Sequence, residues 1–551
     1  MKEDYNNANQ KNKIRSLERN AKKNNISSMF ELMEHFEYSD DINLTRSNKY
    51  FHQCLNELGF ITDNEYERPK NKFKINNVKL LNFRKFKEIN VFFENDITIF
   101  IGNNGAGKTT ILDALAKTFS YINARIISKG RNGRPLENSD VKVDCMDNAE
   151  VITTFSLGEH TKYQGSLIRS AKGIENSKKS DLESYSSLSN LFRVINHRNI
   201  NLYKKEINIP LCVFYTVERS YLKSNITFEL EKVDSTSTNS RFDAIERNAL
   251  DGTTNIEDFL KWFIYIDNLE NNNLLKNDIE KLEIEIKALE SIMKGSELFL
   301  NELNERKKRL SLVQKKSLSY EDNLNVSKFK QYVKLAIINS VSSISDIYVD
   351  RSSGRAEVKI INDGVSINIF QASKGQLVYL ALISDLAKRL ISMNPELDNP
   401  LHGQGIVLID EVELHLHPEW QQSVIKNLIS TFPNIQFIIT THSPQVLSTI
   451  TRQKIRNLGE NTEGEDVVAI PVAESYARST STVLSSVMHV EPIKNFPERK
   501  MLDKYRKIIE QGDFKSKYAV GLYNDLVKTL GENHEELVDL AIVKRRREKL
   551  E

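Results

Sequence analysis

"IFIGNNGAGKTTILDAL", residues Ile99–Leu115, decides how the chain folds. A short apolar run ends in Gly102, Asn103, Asn104, Gly105, Ala106, Gly107, Lys108 and Thr109, the full G-x-x-x-x-G-K-[ST] pattern, and an amphipathic stretch follows from Thr110. Glycines let backbone N–H groups close around a β-phosphate without Cβ clashes, a lysine adds a point charge at the β/γ oxygens, and a threonine hydroxyl suits Mg²⁺. Strand, glycine-rich turn and helix in that order predict an α/β fold with a P-loop that takes a nucleoside triphosphate and Mg²⁺.

A P-loop needs a second source of carboxylate. "GIVLID", Gly405–Asp410, is an apolar run whose terminal Asp410 suits Mg²⁺, and Glu411 follows it. A carboxylate beside the metal-binding aspartate points to another side of the site, where it can orient or deprotonate the attacking water. "NIQFIITTHSP", Asn434–Pro444, predicts another buried strand, and His442 at its tip can donate a hydrogen bond to a γ-phosphate. The same His442 also fits a structural role. Within "LIDEVELHLHP", Leu408–Pro418, His415 and His417 stand as an i, i+2 pair. They admit a metal site or plain loop structure, and no third ligand can be named.

Farther out, the texture of the chain divides it. With 551 residues, two or three structural units are expected. The 77 basic and 75 acidic side chains nearly cancel, which argues against a uniformly basic nucleic-acid coat. Three scattered cysteines form neither a disulfide framework nor a zinc ribbon, and a reducing, cytoplasmic setting fits them. The polar opening "MKEDYNNANQKNKIRSLERN" lacks an apolar h-region, and no run approaches a membrane span. Residues 1–72 read as a polar extension holding one amphipathic helix, on the stripe Met29, Phe30, Leu32, Met33 and Phe36. From Phe73 onward, strand patterns dominate.

Leu275, Ile279, Leu282, Ile286, Leu289 and Met293 make a heptad seam. A weaker series, Leu300, Leu303, Leu310 and Val313, follows Gly295-Ser296, so the two could fold back as an antiparallel pair. Either a projecting arm or helices packed within one domain satisfies that pattern. "AEVKIINDGVSINIF", Ala356–Phe370, alternates on both sides of Asn362-Asp363-Gly364 and predicts a β-hairpin leading into "QASKGQ", Gln371–Gln376. Met501, Leu502, Tyr505, Ile508 and Ile509 predict a late helix, and "VKRRREKLE" reads as its charged, solvated tip.

Taken together, "GNNGAGKTT", "SKGQ" (Ser373–Gln376), "LIDEVELHLHP" and "TTHSP" resemble the ABC-type ATPase heads of the SMC, RecF and OLD class. The resemblance implies that Ser373, Gly375 and Gln376 are the signature, Glu411 the catalytic glutamate and His442 the switch histidine. It covers roughly residues 73–250 and 346–470, split by the helical insert. The signature departs from the fuller LSGGQ form, and only Asp140 in "NSDVK" offers itself near a Q-loop. In this class the nucleotide lies between the P-loop of one head and the signature serine of another, so the resemblance implies a homodimer or higher oligomer. A helix beginning near Ser373 would aim its N–H groups at the γ-phosphate, although Ser and Gln at that spacing also make an ordinary N-cap.

The resemblance implies an α/β P-loop head in five parts. These are a partly helical extension (1–72), a first ATPase lobe (73–255), a coiled-coil-like helical insert (256–345), a second lobe (346–470) and a helical C-terminal region for partner binding (471–551). No Asp-x-Asp follows His442, which separates the chain from OLD enzymes with their nuclease domain and leaves any cutting to another polypeptide. "YARSTSTVLSSVMHV", Tyr476–Val490, is similar to the PtuA-type ATPase subunits of Septu and retron anti-phage systems, and reads equally as a linker and packing helix. That similarity implies an HNH nuclease partner, and with it a retron reverse transcriptase and its RNA–DNA hybrid. A RecF- or SMC-like DNA-maintenance ATPase, or a scaffold that binds ATP without hydrolysing it, is the alternative.

Overall fold

The computed structural model describes residues 2–39, 42–63, 66–145, 147–171, 173, 178–220, 240–246, 248–253, 256–292, 303, 305–310, 326–490 and 497–548. Its principal sheet has six strands: β1 (Ile97–Ile101), β2 (Leu211–Tyr215), β3 (Gly405–Ile409), β4 (Ile435–Thr440), β5 (Ile455–Glu460) and β6 (Asp466–Ala469). The order is β6-β5-β1-β4-β3-β2, parallel except for β6. Every residue of β1, β2, β3 and β4 is buried. Strands covered on both faces call for continuous apolar runs of this kind, which is why these segments show no alternation. Ile409 pairs with Ile439 on one side and Tyr215 on the other, and Thr440 pairs with Phe100. The register therefore releases Gly102, Thr216, Asp410 and Thr441 at one carboxyl edge, where open α/β sheets place their ligands.

A second, antiparallel sheet is built from Phe86–Phe92, Phe73–Phe83, Asn148–Leu157 and Thr161–Ser170, in that spatial order. The helix α1 (Lys108–Ile127) touches both sheets. Asn123 donates to the Cys212 carbonyl of β2 at 3.1 Å, and the Phe119 ring lies 6.0 Å from that of Phe155. Gln436, buried on β4, uses both ends of its amide to bridge the sheets, accepting from Ile75 N at 2.9 Å and donating to Ile75 O at 3.0 Å. Two buried backbone groups at the seam are thereby satisfied.

The hairpin predicted around Asn362-Asp363-Gly364 forms, with Asn362 opposite Val365 and positive φ at Asp363 (48°) and Gly364 (79°). It lies beside Ile344–Asp350 in a three-stranded sheet and leads into α2 (Lys374–Met393). A single helix, Ile256–Ile292, carries the heptad seam. Leu282 and Ile286 on it are buried while Ile284 is exposed. Arg306 pairs with Glu285, so the returning segment runs beside the long helix. Met293, Leu300 and Val313 lie outside the described residues.

Where the sequence suggests one helix before Phe73, three occur: Lys2–Ala21, Ile26–Tyr38 and Leu44–Glu57. They are not an appendage. Met29, Phe30, Leu32, Met33 and Phe36 are buried, Ile26 N donates to Thr161 Oγ1 at 2.9 Å, and Arg198 reaches Glu37 at 2.6 Å. Polar composition hid this because the second and third helices bury one narrow face each. A separate compact unit begins at Arg478. Its helices Pro497–Gln511, Lys517–Leu530 and Glu535–Glu548 enclose a core that includes Leu502, Tyr505, Ile509, Leu526 and Leu537. No helix among the described residues is long and apolar enough to cross a membrane.

Candidate active site

The loop Gly102–Gly107 carries the chain from β1 into α1. Gly107 has φ 98°, and a Cβ there would meet Phe86 Cζ at 2.2 Å, so only glycine fits both the backbone and the space. It also leaves α1 without a side-chain cap. The first N–H groups of a helix have no intrahelical acceptor and carry the positive end of its dipole. An uncapped start in a glycine loop, with Asn103, Asn104 and Gly105 exposed, fits the phosphate groups of ATP. Lys108 is buried and folds back over the loop, donating to Gly102 O at 2.8 Å and Asn103 O at 3.2 Å. Burial pushes its ammonium below the usual value, while Asp410, Glu411 and Glu413 pull it back upward. Three carboxylates thus face this cation.

Thr109, the second residue of α1, donates to Asp410 Oδ2 at 2.9 Å across 301 residues of sequence. Asp410 leaves β3 between the ends of β2 and β4, with its N–H bonded to Tyr215 O. Its other oxygen accepts from Thr440 Oγ1 at 2.5 Å. A hydroxyl and a carboxylate oxygen held together are hard donors of the kind Mg²⁺ takes, so Thr109 and Asp410 could hold that cation. Glu411 adopts φ 47°, the left-handed region that a glutamate rarely enters, and its N–H donates to Thr440 Oγ1 at 2.8 Å. The turn sends the half-buried Glu411 away from the strand direction.

His442 is half-buried just past β4. Glu413 fixes its backbone, accepting from His442 N at 2.6 Å and from Thr441 Oγ1 at 2.7 Å. The structure thus gathers Gly102–Thr110, Asp410, Glu411 and His442 at one sheet edge. Sequence reasoning missed three residues that assemble them. Thr440 had a visible signal, since it ends the strand in "FIITTHSP". Glu413 showed only as a further acid in "DEVE". Arg219, in "YTVERSY", had no signal beyond lying just after an apolar strand.

Ser373, Gly375 and Gln376 bond to none of these groups. Ser373 is the N-cap of α2 in a capping box, with Gln376 N donating to Ser373 Oγ at 3.3 Å and Ser373 N to Gln376 Oε1 at 3.0 Å. The Gln376 amide also donates to Ser343 and Asn362, both at 3.1 Å. These residues line an open groove of ≈ 720 Å³ with His415, His417 and Trp420. A Cβ on Gly375 would lie 2.2 Å from His415 O, so the missing side chain lets the two walls meet. Partial desolvation, then the charges of Lys374 and Arg219, push the His415 imidazole below its usual pKa. His417 caps the short helix Pro418–Gln421. Among the described residues no cluster of three or more His, Cys, Asp or Glu side chains could hold a metal ion. Asp140, the one residue offered for a Q-loop, is buried and bound to Arg84 and Lys117.

A glycine loop opening an uncapped helix and a threonine bonded to a strand-end aspartate define a P-loop ATPase. The chain belongs to the AAA ATPase domain family, whose model matches residues 73–447. It is 29% identical to the "Retron Vc95 probable ATPase" of Vibrio cholerae serotype O1 biovar El Tor over 511 residues, 90% of this chain and 93% of that one. It is 30% identical to the "Retron Ec83 probable ATPase" of Escherichia coli over 489 residues, 86% of each chain. The Septu protein PtuA of Bacillus mycoides (strain KBAB4) matches at 30% identity over 151 residues, 27% of this chain and 19% of PtuA.

Proposed function

We propose that this chain is the Mg²⁺-dependent ATPase subunit of a cytoplasmic anti-phage complex. It works as a homodimer of heads and controls an HNH nuclease, together with a retron reverse transcriptase and its RNA–DNA hybrid. One observation carries the ATPase reading: the Thr109–Asp410 hydrogen bond, which joins the P-loop helix to the strand-end carboxylate. The defence setting is supported by two retron ATPases similar over most of this chain and by the shorter match to PtuA.

In this reading, Gly102, Asn103, Asn104, Gly105, Ala106, Gly107, Lys108, Thr109 and Thr110 bind the phosphates, and Thr109 and Asp410 hold Mg²⁺. When bound, the cation neutralises charge on the phosphate oxygens. Glu411 takes the proton of the attacking water, and His442 donates to the γ-phosphate. Ser373, Gly375 and Gln376 serve the nucleotide of the partner head. Ser373 Oγ accepts within its own cap, and its hydroxyl proton is left to donate across the interface. The nuclease sits on a separate polypeptide. ATP favours one arrangement of the heads by binding it more tightly, and the helical insert and C-terminal unit hold or release the effector accordingly.

Mixing two inactive variants tests the paired site. Lys108→Ala spoils a P-loop and Ser373→Ala spoils a signature, so each homodimer has no intact site. A mixed dimer regains one complete site from the unaltered halves, and turnover should return toward half of wild type per mixed dimer. No recovery on mixing would reject the shared site. ATPase activity stimulated by DNA, without any nuclease copurifying, would favour a DNA-maintenance ATPase. Dimers that stay loaded with intact ATP would favour a scaffold.

A further inference from the structure

Arg219 is among the largest fully buried side chains of the molecule, 1% exposed, and lies in the single turn Val217–Ser220 directly after β2. Its guanidinium is directed at backbone. Nη1 donates to Thr216 O at 2.9 Å and to Asp410 O at 2.5 Å, and Nη2 donates to Glu411 O. A desolvated cation is costly unless its donors are taken up, and three of these go to main-chain carbonyls. Burial lowers the Arg219 pKa to about 10, while Asp410, Glu413 and Glu411 act to raise it, so the group stays charged at neutral pH.

Two of those carbonyls belong to the turn where β3 ends. Beyond Ile409 the chain leaves the ladder, and Glu411 enters the left-handed region at φ 47°. A residue with a Cβ pays roughly 1–2 kcal/mol there, so neighbours must hold it. Thr440 Oγ1 takes the Glu411 N–H at 2.8 Å, and Arg219 takes the carbonyls on either side of that φ angle. The direction of the Glu411 side chain follows from that fixed backbone, because its Cα–Cβ bond turns with it.

We propose that Arg219 is a positioning residue for ATP hydrolysis, clamping the Asp410 and Glu411 carbonyls so that the Glu411 carboxylate keeps its reactive direction. This rests on the assignment of Glu411 as the base. An arginine that only stabilised the fold would lose its effect through unfolding or weaker ATP binding. A positioning arginine acts through Glu411 and becomes irrelevant once that carboxylate is gone.

The test is a double-mutant cycle on the full chain, read by single-turnover hydrolysis and by ATP affinity. Arg219→Met should slow hydrolysis by about 10², the scale of a misplaced reacting group, with ATP affinity unchanged within about threefold. Arg219→Lys, which keeps the charge and cannot span the same carbonyls, should recover part of the rate. In a Glu411→Gln background the Met substitution should cost less than about twofold more. Equal losses in both backgrounds, or ATP affinity falling in step with rate, would overturn the proposal. Should Arg219→Met not fold, Arg219→Lys runs the same cycle, and a loss that persists in full without Glu411 overturns it. Glu411→Gln alone turning over at the wild-type rate would remove the assignment beneath it, and that arm is read separately.

Discussion

Two helices of this ATPase begin at motifs proposed to meet phosphate, and they begin differently. The start of α1 is a glycine with no side-chain cap, so its first N–H groups are left for a ligand. The start of α2 is Ser373, closed by a reciprocal box with Gln376. The first has donors that a bound anion can take up, whereas the second satisfies its own and keeps a hydroxyl proton. In the proposed function the open helix end serves the nucleotide of its own chain, and the capped end serves that of a partner head.

Lys108→Ala should show the largest effect, because it removes the cation that three carboxylates face. Loss of a preorganised charge at the phosphates predicts turnover lower by about 10³ and ATP binding too weak to measure by titration calorimetry. Retained binding would mean that the open helix start alone suffices. Ser373→Ala should come next, with turnover reduced by about 10² and ATP binding intact in the monomer. The cap itself should cost about 1 kcal/mol in a denaturant melt. Weakened ATP binding in the monomer would mean that the two helix ends are not separate.

Gly375→Ala probes the wall of the groove. With His415 O at 2.2 Å from the new Cβ, the backbone must shift, and unfolding should become easier by about 1–3 kcal/mol. An unchanged melt would show that His415 moves aside freely. Glu413→Gln should have the smallest effect. A carboxylate accepting from both His442 N and Thr441 Oγ1 becomes an amide that can accept only one of them through its oxygen. Turnover should fall by about tenfold with ATP affinity kept, and equal losses in both would tie Glu413 to binding instead.

Much of the site was legible because it consists of short local patterns. The loop from Gly102 to Thr109 needs glycine where φ is positive and a Cβ would strike Phe86, and those needs are written into adjacent positions. Asp410 announced itself by ending an apolar run that could only be a buried strand. The polar N-terminal segment misled because its second and third helices each bury only one stripe, which composition averages away. Arg219 was illegible because its role is to reach carbonyls 191 residues away, and a lone arginine after a strand carries no periodicity.

By itself the sequence determined the strand–loop–helix unit at Gly102–Thr109, the hairpin at Asp363-Gly364 and the buried strand that ends before Asp410, since each follows from backbone freedom or period within a dozen residues. Only the tertiary structure decided that Thr109 meets Asp410, that Gln436 joins two sheets and that Arg219 and Glu413 hold the turns around Glu411 and His442. Such pairings depend on strand order and register. Those are set by the simultaneous burial of many distant segments, a property of the whole packed chain and of no single stretch of it.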